Sequence, residues 1–132
     1  MKAQLIIALA TAAVLSSCGG ATVDQWKEGG LYSTPNESGS YSVLKILKID
    51  DDGVHVRLYS NQFSERPTDV DPDTLYMAGM DRREDESLGM GHAPVSRASF
   101  ATWGAEYIKT VSVTEEELEG YEMWLEAGGG YF

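Results

Sequence analysis

One strip of alternating residues in the chain could bind an acidic ligand. His55, Arg57 and Tyr59 stand two positions apart in VHVRLY, and residues with this spacing share one face of a β-strand. An imidazole, a guanidinium and a phenol on one face offer positive charge and hydrogen-bond donors to a carboxylate or phosphate. These residues are therefore candidates for ligand binding, and the interpretation that we favour is a sheet face partly covered by a loop.

The second of the two histidines, His92, lies in Gly91-His92-Ala93-Pro94, a pattern typical of a turn. We group it with the candidate ligand-binding residues, and a local hydrogen bond is its alternative role. No GxSxG, HExxH or CxxC motif and no glycine-rich phosphate loop accompanies either histidine. The residues therefore predict no catalytic site, a protein that is not an enzyme, and no cofactor.

A row of aspartates, Asp69, Asp71 and Asp73, has the alternate spacing of a calcium loop. The sixth position of that loop is Thr74 instead of glycine and the twelfth is Met80 instead of glutamate, which excludes an EF-hand. A looser calcium site remains an alternative, because clustered carboxylates repel one another and a divalent ion relieves that repulsion.

Another candidate metal set combines three methionines with a histidine: Met77, Met80, Met90 and His92. Thioether and imidazole ligands suit Cu(I). Methionines more often fill apolar cores, and their spacing here is not diagnostic of a metal site. We assign no metal ligands, and a periplasmic metal-binding lipoprotein stays as the alternative function.

The only cysteine, Cys18, follows an apolar segment near the N-terminus. A single cysteine excludes a disulfide within the chain. Residues 3–15 carry no charge, follow Lys2, and are shorter than the roughly 20 residues that span a bilayer as a helix. This pattern predicts a secretory signal that is removed from the mature protein.

The four residues at the end of this segment, Leu15-Ser16-Ser17-Cys18, resemble the lipobox of bacterial lipoproteins. In that family a diacylglyceryl group is joined to the cysteine sulfur, a peptidase cuts just before the cysteine, and the new amino group is acylated. Each buried CH₂ contributes about 0.8 kcal/mol, so two or three chains anchor a protein durably. The resemblance implies a thioether at Cys18, which cannot act as a nucleophile.

The resemblance also implies how the chain is divided. Residues 1–17 are the signal peptide, 18–25 hold the lipidated cysteine and a flexible tether, and 26–132 form a single domain. In lipoproteins of enteric type an aspartate after the cysteine favours the inner membrane. Gly19 stands there, so we expect a bacterial envelope protein anchored by lipid, preferably in the outer membrane.

The acidic composition restricts the partners. The formal net charge of −11 argues against nucleic acid and against a domain lying flat on anionic lipid. We expect contact with the membrane through the lipid alone, and another envelope protein as the candidate partner. An acidic surface suits a basic target, as in an inhibitor or immunity protein.

A β-hairpin is the clearest element of the domain. YSVLKILKID, DDG and VHVRLY predict two strands, with Asp52-Gly53 supplying the positive φ that hairpin turns favour. The aspartates at positions 50–52 are interpreted as turn residues. Further strands are predicted at 30–34, 74–78 and 107–113, and a solvated loop at 81–91.

The last element is an amphipathic helix. Thr114 and Glu117 form a capping box that predicts a helix beginning at Thr114. Gly120 permits close approach to another element, and the glycines at 128–130 end the helix. Its apolar stripe, which should cover the sheet, consists of Leu118, Tyr121, Trp124 and Leu125.

Together these patterns predict an α+β domain with a small, mostly antiparallel sheet of about five strands and one C-terminal amphipathic helix packed on it. The segments GHAPVSRASFATW and ELEGYEMWLEAGGGYF resemble a widespread family of small bacterial proteins. That resemblance implies a domain and no particular mechanism. The sequence favours a non-catalytic binding or interaction domain with an unidentified ligand.

Overall fold

The computed structural model describes residues 26–132, and the predicted signal peptide, Cys18 and the predicted tether lie outside the described residues. The predicted α+β fold is confirmed: five strands form one antiparallel sheet in the order β4-β3-β2-β1-β5, and a short helix follows near the C-terminus. The elements are β1 Gly30–Pro35, β2 Tyr41–Ile49, β3 Gly53–Leu58, β4 Met90–Ser96, α1 Arg97–Phe100, β5 Glu106–Thr110 and α2 Glu119–Glu126.

The predicted hairpin of β2 and β3 is present, with Ile46 opposite Val56 and Ile49 opposite Val54. Its turn differs from the prediction, because the only positive φ angles within residues 26–132 are at Gly29, Gly39, Gly104 and Gly128. The turn is closed instead by Asp50, whose backbone N–H donates to the carbonyl of Gly53 at 3.0 Å.

The strand predicted at 74–78 is wrong. This segment is a loop held by isolated hydrogen bonds: Ser60 N–H donates to the carbonyl of Tyr76 at 2.8 Å, and Ala78 N–H donates to Ser60 Oγ at 2.6 Å. The fifth strand is β4, in which His92 and Pro94 were predicted to form a turn. Pro94 is tolerated there because β4 is an edge strand, where a residue without a backbone N–H does not interrupt pairing on both sides.

The two faces of the sheet carry different cores because side chains alternate along each strand. One face holds an apolar cluster under α1, in which Trp26 packs edge-to-face on Phe100 with ring centroids 4.8 Å apart. Its other members are Tyr32, Leu44, Ile46, Val54, Val56, Ala93, Val95 and Ala105. The opposite face holds a smaller cluster of Leu31, Val43, Tyr59 and Val70.

The capping box is formed, and it joins the C-terminal segment to the sheet. Thr114 N–H donates to Glu117 Oε1 at 2.9 Å, and Glu117 N–H donates to Thr114 Oγ1 at 3.2 Å. Lys45, buried in β2, donates to both oxygens of Glu117 at 3.0 and 3.1 Å and to the carbonyl of Ser112. The first turn, Glu116–Leu118, is a 3₁₀ turn, so the α-helix begins at Glu119, later than predicted.

A Schellman motif ends α2 where the glycines were predicted to end it. Gly128 has φ +67°, and its N–H donates to the carbonyl of Leu125 at 3.1 Å. Gly129 N–H donates to the carbonyl of Trp124 at 3.0 Å. The chain then reverses onto β4, where Phe132 N–H donates to the carbonyl of Pro94 and Ser96 N–H donates to the carbonyl of Phe132.

Candidate functional site

The two histidines meet beneath α2. His55 points from β3 and is 0% exposed, and its Nδ1 lies 2.8 Å from Nε2 of His92 on β4. The two rings are nearly parallel, with a 10° interplanar angle and centroids 5.0 Å apart. The structure thus brings together two of the four sequence-predicted site residues, through a direct hydrogen bond.

Tyr131 and Asp50 complete the cluster on the other side of His55. Its Nε2 lies 2.7 Å from the hydroxyl of Tyr131 and 3.3 Å from Oδ2 of Asp50. The Tyr131 hydroxyl donates to the same Oδ2. The second oxygen of Asp50 accepts the backbone N–H groups of Asp52 and Gly53 at 2.9 and 2.8 Å.

These contacts fix the direction of the hydrogen bonds. Because Asp50 accepts the hydroxyl proton of Tyr131, the Tyr131 oxygen accepts from His55 Nε2–H. A neutral His55 then has a bare Nδ1, which accepts from His92 Nε2–H. We assign the Nε2–H tautomer to both histidines, so a single chain of donors runs from His92 to the carboxylate of Asp50.

The electrostatics favour neutral imidazoles. Burial lowers the pKa of His55 below its ordinary value, and the nearby Asp50 opposes this only in part. The pKa of His92 is also lowered, first by burial and then by the neighbouring His55. Both imidazoles therefore resist protonation in the folded protein.

The Asp50 end of this series of hydrogen bonds is anionic. Burial acts to raise the pKa of Asp50, but hydrogen bonds from Tyr131, Gly53, Asp52 and His55 outweigh it, so the pKa lies below the ordinary value. The pKa of Tyr131 is raised by burial and by its bond to Asp50. Tyr131 stays a neutral donor and Asp50 stays a carboxylate at neutral pH.

Aromatic rings of α2 cover His55. The Tyr121 and Trp124 rings stand edge-on to it, with centroids 4.7 and 4.5 Å away. The helix comes this close because it has a glycine over His92: a Cβ on Gly120 would lie 2.6 Å from the Cβ of His92. The close approach predicted for Gly120 is confirmed.

A glycine also makes room for Tyr131. A Cβ on Gly53 would lie 2.3 Å from the Tyr131 ring and 2.6 Å from the carbonyl oxygen of Val95. Gly53 is therefore needed for space at the first position of β3, and no positive φ is involved.

Arg57 and Tyr59 share the strand face with His55 but lie apart from the cluster. Arg57 Nε donates to the carbonyl of Gly91 at 3.3 Å. Tyr59 is buried with Val70, and burial raises its pKa to about 12. The predicted strip is thus divided: His55 lies under α2, Tyr59 belongs to the core, and Arg57 lies half-buried between them.

The residues that were candidate metal ligands either bond to other groups or lie exposed at the surface. Asp69 pairs with Lys109 at 2.8 Å, and Asp71 Oδ1 caps the 3₁₀ turn Pro72–Thr74 by accepting Asp73 N–H. The methionine side chains at 77, 80 and 90 are exposed. Within residues 26–132 no group of three or more His, Cys, Asp or Glu side chains is arranged to hold a metal ion.

An open groove of about 460 Å³ lies along α2 and the turn before it. It is lined by two carboxylates and three larger side chains: Glu115, Leu118, Tyr121, Glu122 and Leu125, which we call the acidic groove. Leu125 is 52% exposed, and the neighbouring Met123 is 69% exposed. Tyr121 belongs both to this groove and to the cover of His55.

Sequence reasoning did not assign Asp50 or Tyr131 to the site. The alternation in β3 places His55 on the face that α2 covers, but it does not indicate which side chains complete its hydrogen bonds. The signal for Asp50 is its position five residues before His55 across a tight turn. Tyr131 follows a glycine run, and only the chain reversal after Gly128 brings it to His55.

Comparison with known proteins gives this chain no family. No family model, no curated protein and no solved structure matches it. Among the helices of residues 26–132, none has the length and apolar character needed to cross a bilayer.

Proposed function

We propose that this chain is a lipid-anchored bacterial envelope protein whose domain binds a basic protein through the acidic groove, without chemistry of its own. The anchor rests on the lipobox at residues 15–18. The domain would then work as an inhibitor or immunity-type protein close to the membrane that holds its lipid. The acidic groove is the observation that carries the binding function.

The groove has the two components that protein interfaces use. Leu118, Tyr121 and Leu125 supply apolar and aromatic surface, which is enriched at the centre of such interfaces. Glu115 and Glu122 supply carboxylates that can pair with lysine or arginine of a partner.

The charge of the whole molecule favours the same kind of partner. With a net charge of −11, the chain attracts a basic protein from a distance and repels acidic ones. Lysine and arginine at the edge of the partner surface would then pair with the two glutamates. We therefore expect an association that weakens steeply as salt is added.

A photo-crosslinking residue at Leu125 in the producing bacterium tests this proposal. Leu125 lines the groove and is 52% exposed, so a crosslinking side chain there can reach a bound partner. We expect an adduct with one basic envelope protein, and we expect its yield to fall at least about tenfold in a Glu115→Gln/Glu122→Gln variant.

The matched control is Glu37→Gln/Glu84→Gln, which removes the same charge from exposed positions outside the groove. This variant should keep the adduct. An adduct with an acidic protein, or equal yields from the two double variants, would contradict the proposal.

A further inference from the structure

The C-terminal segment that carries most of the acidic groove is fixed to the sheet at three places, of which the last is the backbone pairing of Phe132 with β4. At its start, Lys45 holds Glu117 through two charged hydrogen bonds. Beyond Glu119, its inward face rests on His55 and His92 through Tyr121, Trp124 and Tyr131. The first attachment is an ion pair, whereas the second contains two imidazoles whose pKa values are lowered by burial.

We propose that the His55–His92 pair is a proton-operated latch, which holds residues 119–129 on the sheet while both imidazoles are neutral and releases them when the pair is protonated. Release would move Tyr121, Glu122 and Leu125 away from Glu115 and Leu118, which Lys45 still holds through Glu117. The acidic groove would thereby lose its shape. This last consequence rests on the proposed function, whereas the latch itself does not.

The geometry of the pair explains why protons act against it. A proton on Nδ1 of His55 faces the Nε2–H of His92 across 2.8 Å, so either the hydrogen bond is lost or His92 must move its own proton to Nδ1; in both cases a cation is buried under α2. A proton on Nδ1 of His92 leaves that bond intact. It creates a cation under Gly120, in the first turn of α2, where the helix dipole is positive.

Charged groups of both signs lie on the elements next to the pair. On the acidic side are Asp50 and Asp52 in the β2–β3 turn and Glu119 and Glu122 on exposed positions of α2. On the basic side are Lys48 of β2, whose Nζ lies 5.8 Å from the centre of the Tyr121 ring, and Arg57 of β3. Tyr121 and Tyr131 are the remaining titratable groups that pack against the histidines.

The effect of burial on the histidine pKa values acts in the same direction as this geometry. Both histidines have folded-state pKa values lowered by burial, so the released state binds protons more readily than the latched state. The released state therefore gains population as the pH falls below the ordinary histidine value of about 6.5. The chain contains two histidines, and both belong to this pair.

Hydrogen exchange of the full-length protein in detergent micelles, at about pH 7.5 and about pH 5.5, tests the latch after correction for intrinsic rates. We expect protection of residues 119–129 to fall about tenfold at the lower pH, while that of β2 stays unchanged. In His92→Gln the amide can still donate to His55 but cannot take a proton. The fall should then shrink to about threefold, because His55 remains as the one group of the pair that can take a proton.

Glu126→Gln is the control, because it removes an exposed carboxylate from the same helix outside the groove and should keep the tenfold response. Tyr131→Phe provides a second test: without the phenol, Asp50 faces His55 directly and stabilises the imidazolium in the latched state, so the fall in protection between the two pH values should become smaller. The latch is contradicted by protection that does not depend on pH, by a full response in His92→Gln, or by an undiminished response in Tyr131→Phe. Because no partner is present, these results do not depend on whether the groove binds a basic protein.

Discussion

At the scale of single residues, the cluster around His55 depends on glycines as much as on the side chains that form it. Gly53, Gly120 and Gly129 each leave a space that an aromatic ring or a histidine occupies. A Cβ on Gly129 would lie 2.3 Å from the Trp124 ring. The sequence shows these glycines, but a glycine required for space and one required for positive φ look identical there. For this reason the role predicted for Gly53 was wrong.

Gly53→Ala should destabilise the fold by about 1–3 kcal/mol, because the new methyl group displaces the Tyr131 ring or the backbone of β4. The measurement is urea unfolding of the full-length protein at neutral pH. Gly130→Ala is the matched control: nothing lies within 4 Å of its Cβ position, so its effect should stay within about 0.5 kcal/mol. Equal effects of the two substitutions would show that Gly53 has no spatial role.

At the scale of elements, the position of α2 depends on the buried pair of Lys45 and Glu117. Their side chains are 4% and 13% exposed, so neither charge is well solvated without the other. The sequence predicted the capping box that places Glu117. It did not predict that Lys45 of β2 is the partner of Glu117, since the two residues lie 72 positions apart in the chain. The two-residue spacing of Lys45 from Val43 and Leu47 shows only that it points to the covered face of the sheet.

Lys45→Met should therefore cost about 3 kcal/mol or more, because it leaves Glu117 charged and partly buried. Lys109→Met is a fitting comparison. It removes an ion pair with Asp69 in which the side chains are 37% and 77% exposed, and it should cost at most about 1 kcal/mol. Unfolding free energies from urea titration measure both. Similar losses in the two variants would mean that burial of the pair is unimportant.

Strands with a clear hydrophobic alternation were predictable, and those specified by pairing were not. β3 alternates regularly, and β2, whose apolar residues also fit an amphipathic helix, was predicted from its β-branched residues and the tight turn that joins it to β3. β4 contains Gly91 and Pro94, which suggest a turn, yet it pairs with β3 from Gly53 opposite Ser96 to Leu58 opposite Met90. Tertiary pairing outweighs local propensity in such a strand.

At the scale of the whole molecule, the fold should lose stability in two steps as the pH falls. The histidines have lowered folded-state pKa values, so their contribution is fully present above about pH 6.5 and is lost as the pH falls below it. Asp50 and Glu117 also have lowered pKa values, despite burial. Their contribution is present above their unfolded values of about 4 and is lost below them.

Urea midpoints measured from about pH 8 to about pH 3 would separate the two steps. We expect a plateau above about pH 6.5, a first decline that His92→Gln reduces, and a second decline near pH 4 that this variant keeps. Stability that increases between about pH 7 and pH 5 would contradict the assignment of neutral histidines. The sequence alone could not predict the first step, because it does not show that the two histidines meet.

The proposal that this domain works at a membrane surface depends most on Cys18. The intact mass of the protein from its natural producer tests it directly. We predict a chain without residues 1–17 that carries a diacylglyceryl group on Cys18 and an acylated amino group. A chain that keeps its leader, or one with a free thiol at Cys18, would contradict lipid anchoring and with it the proposed place of action.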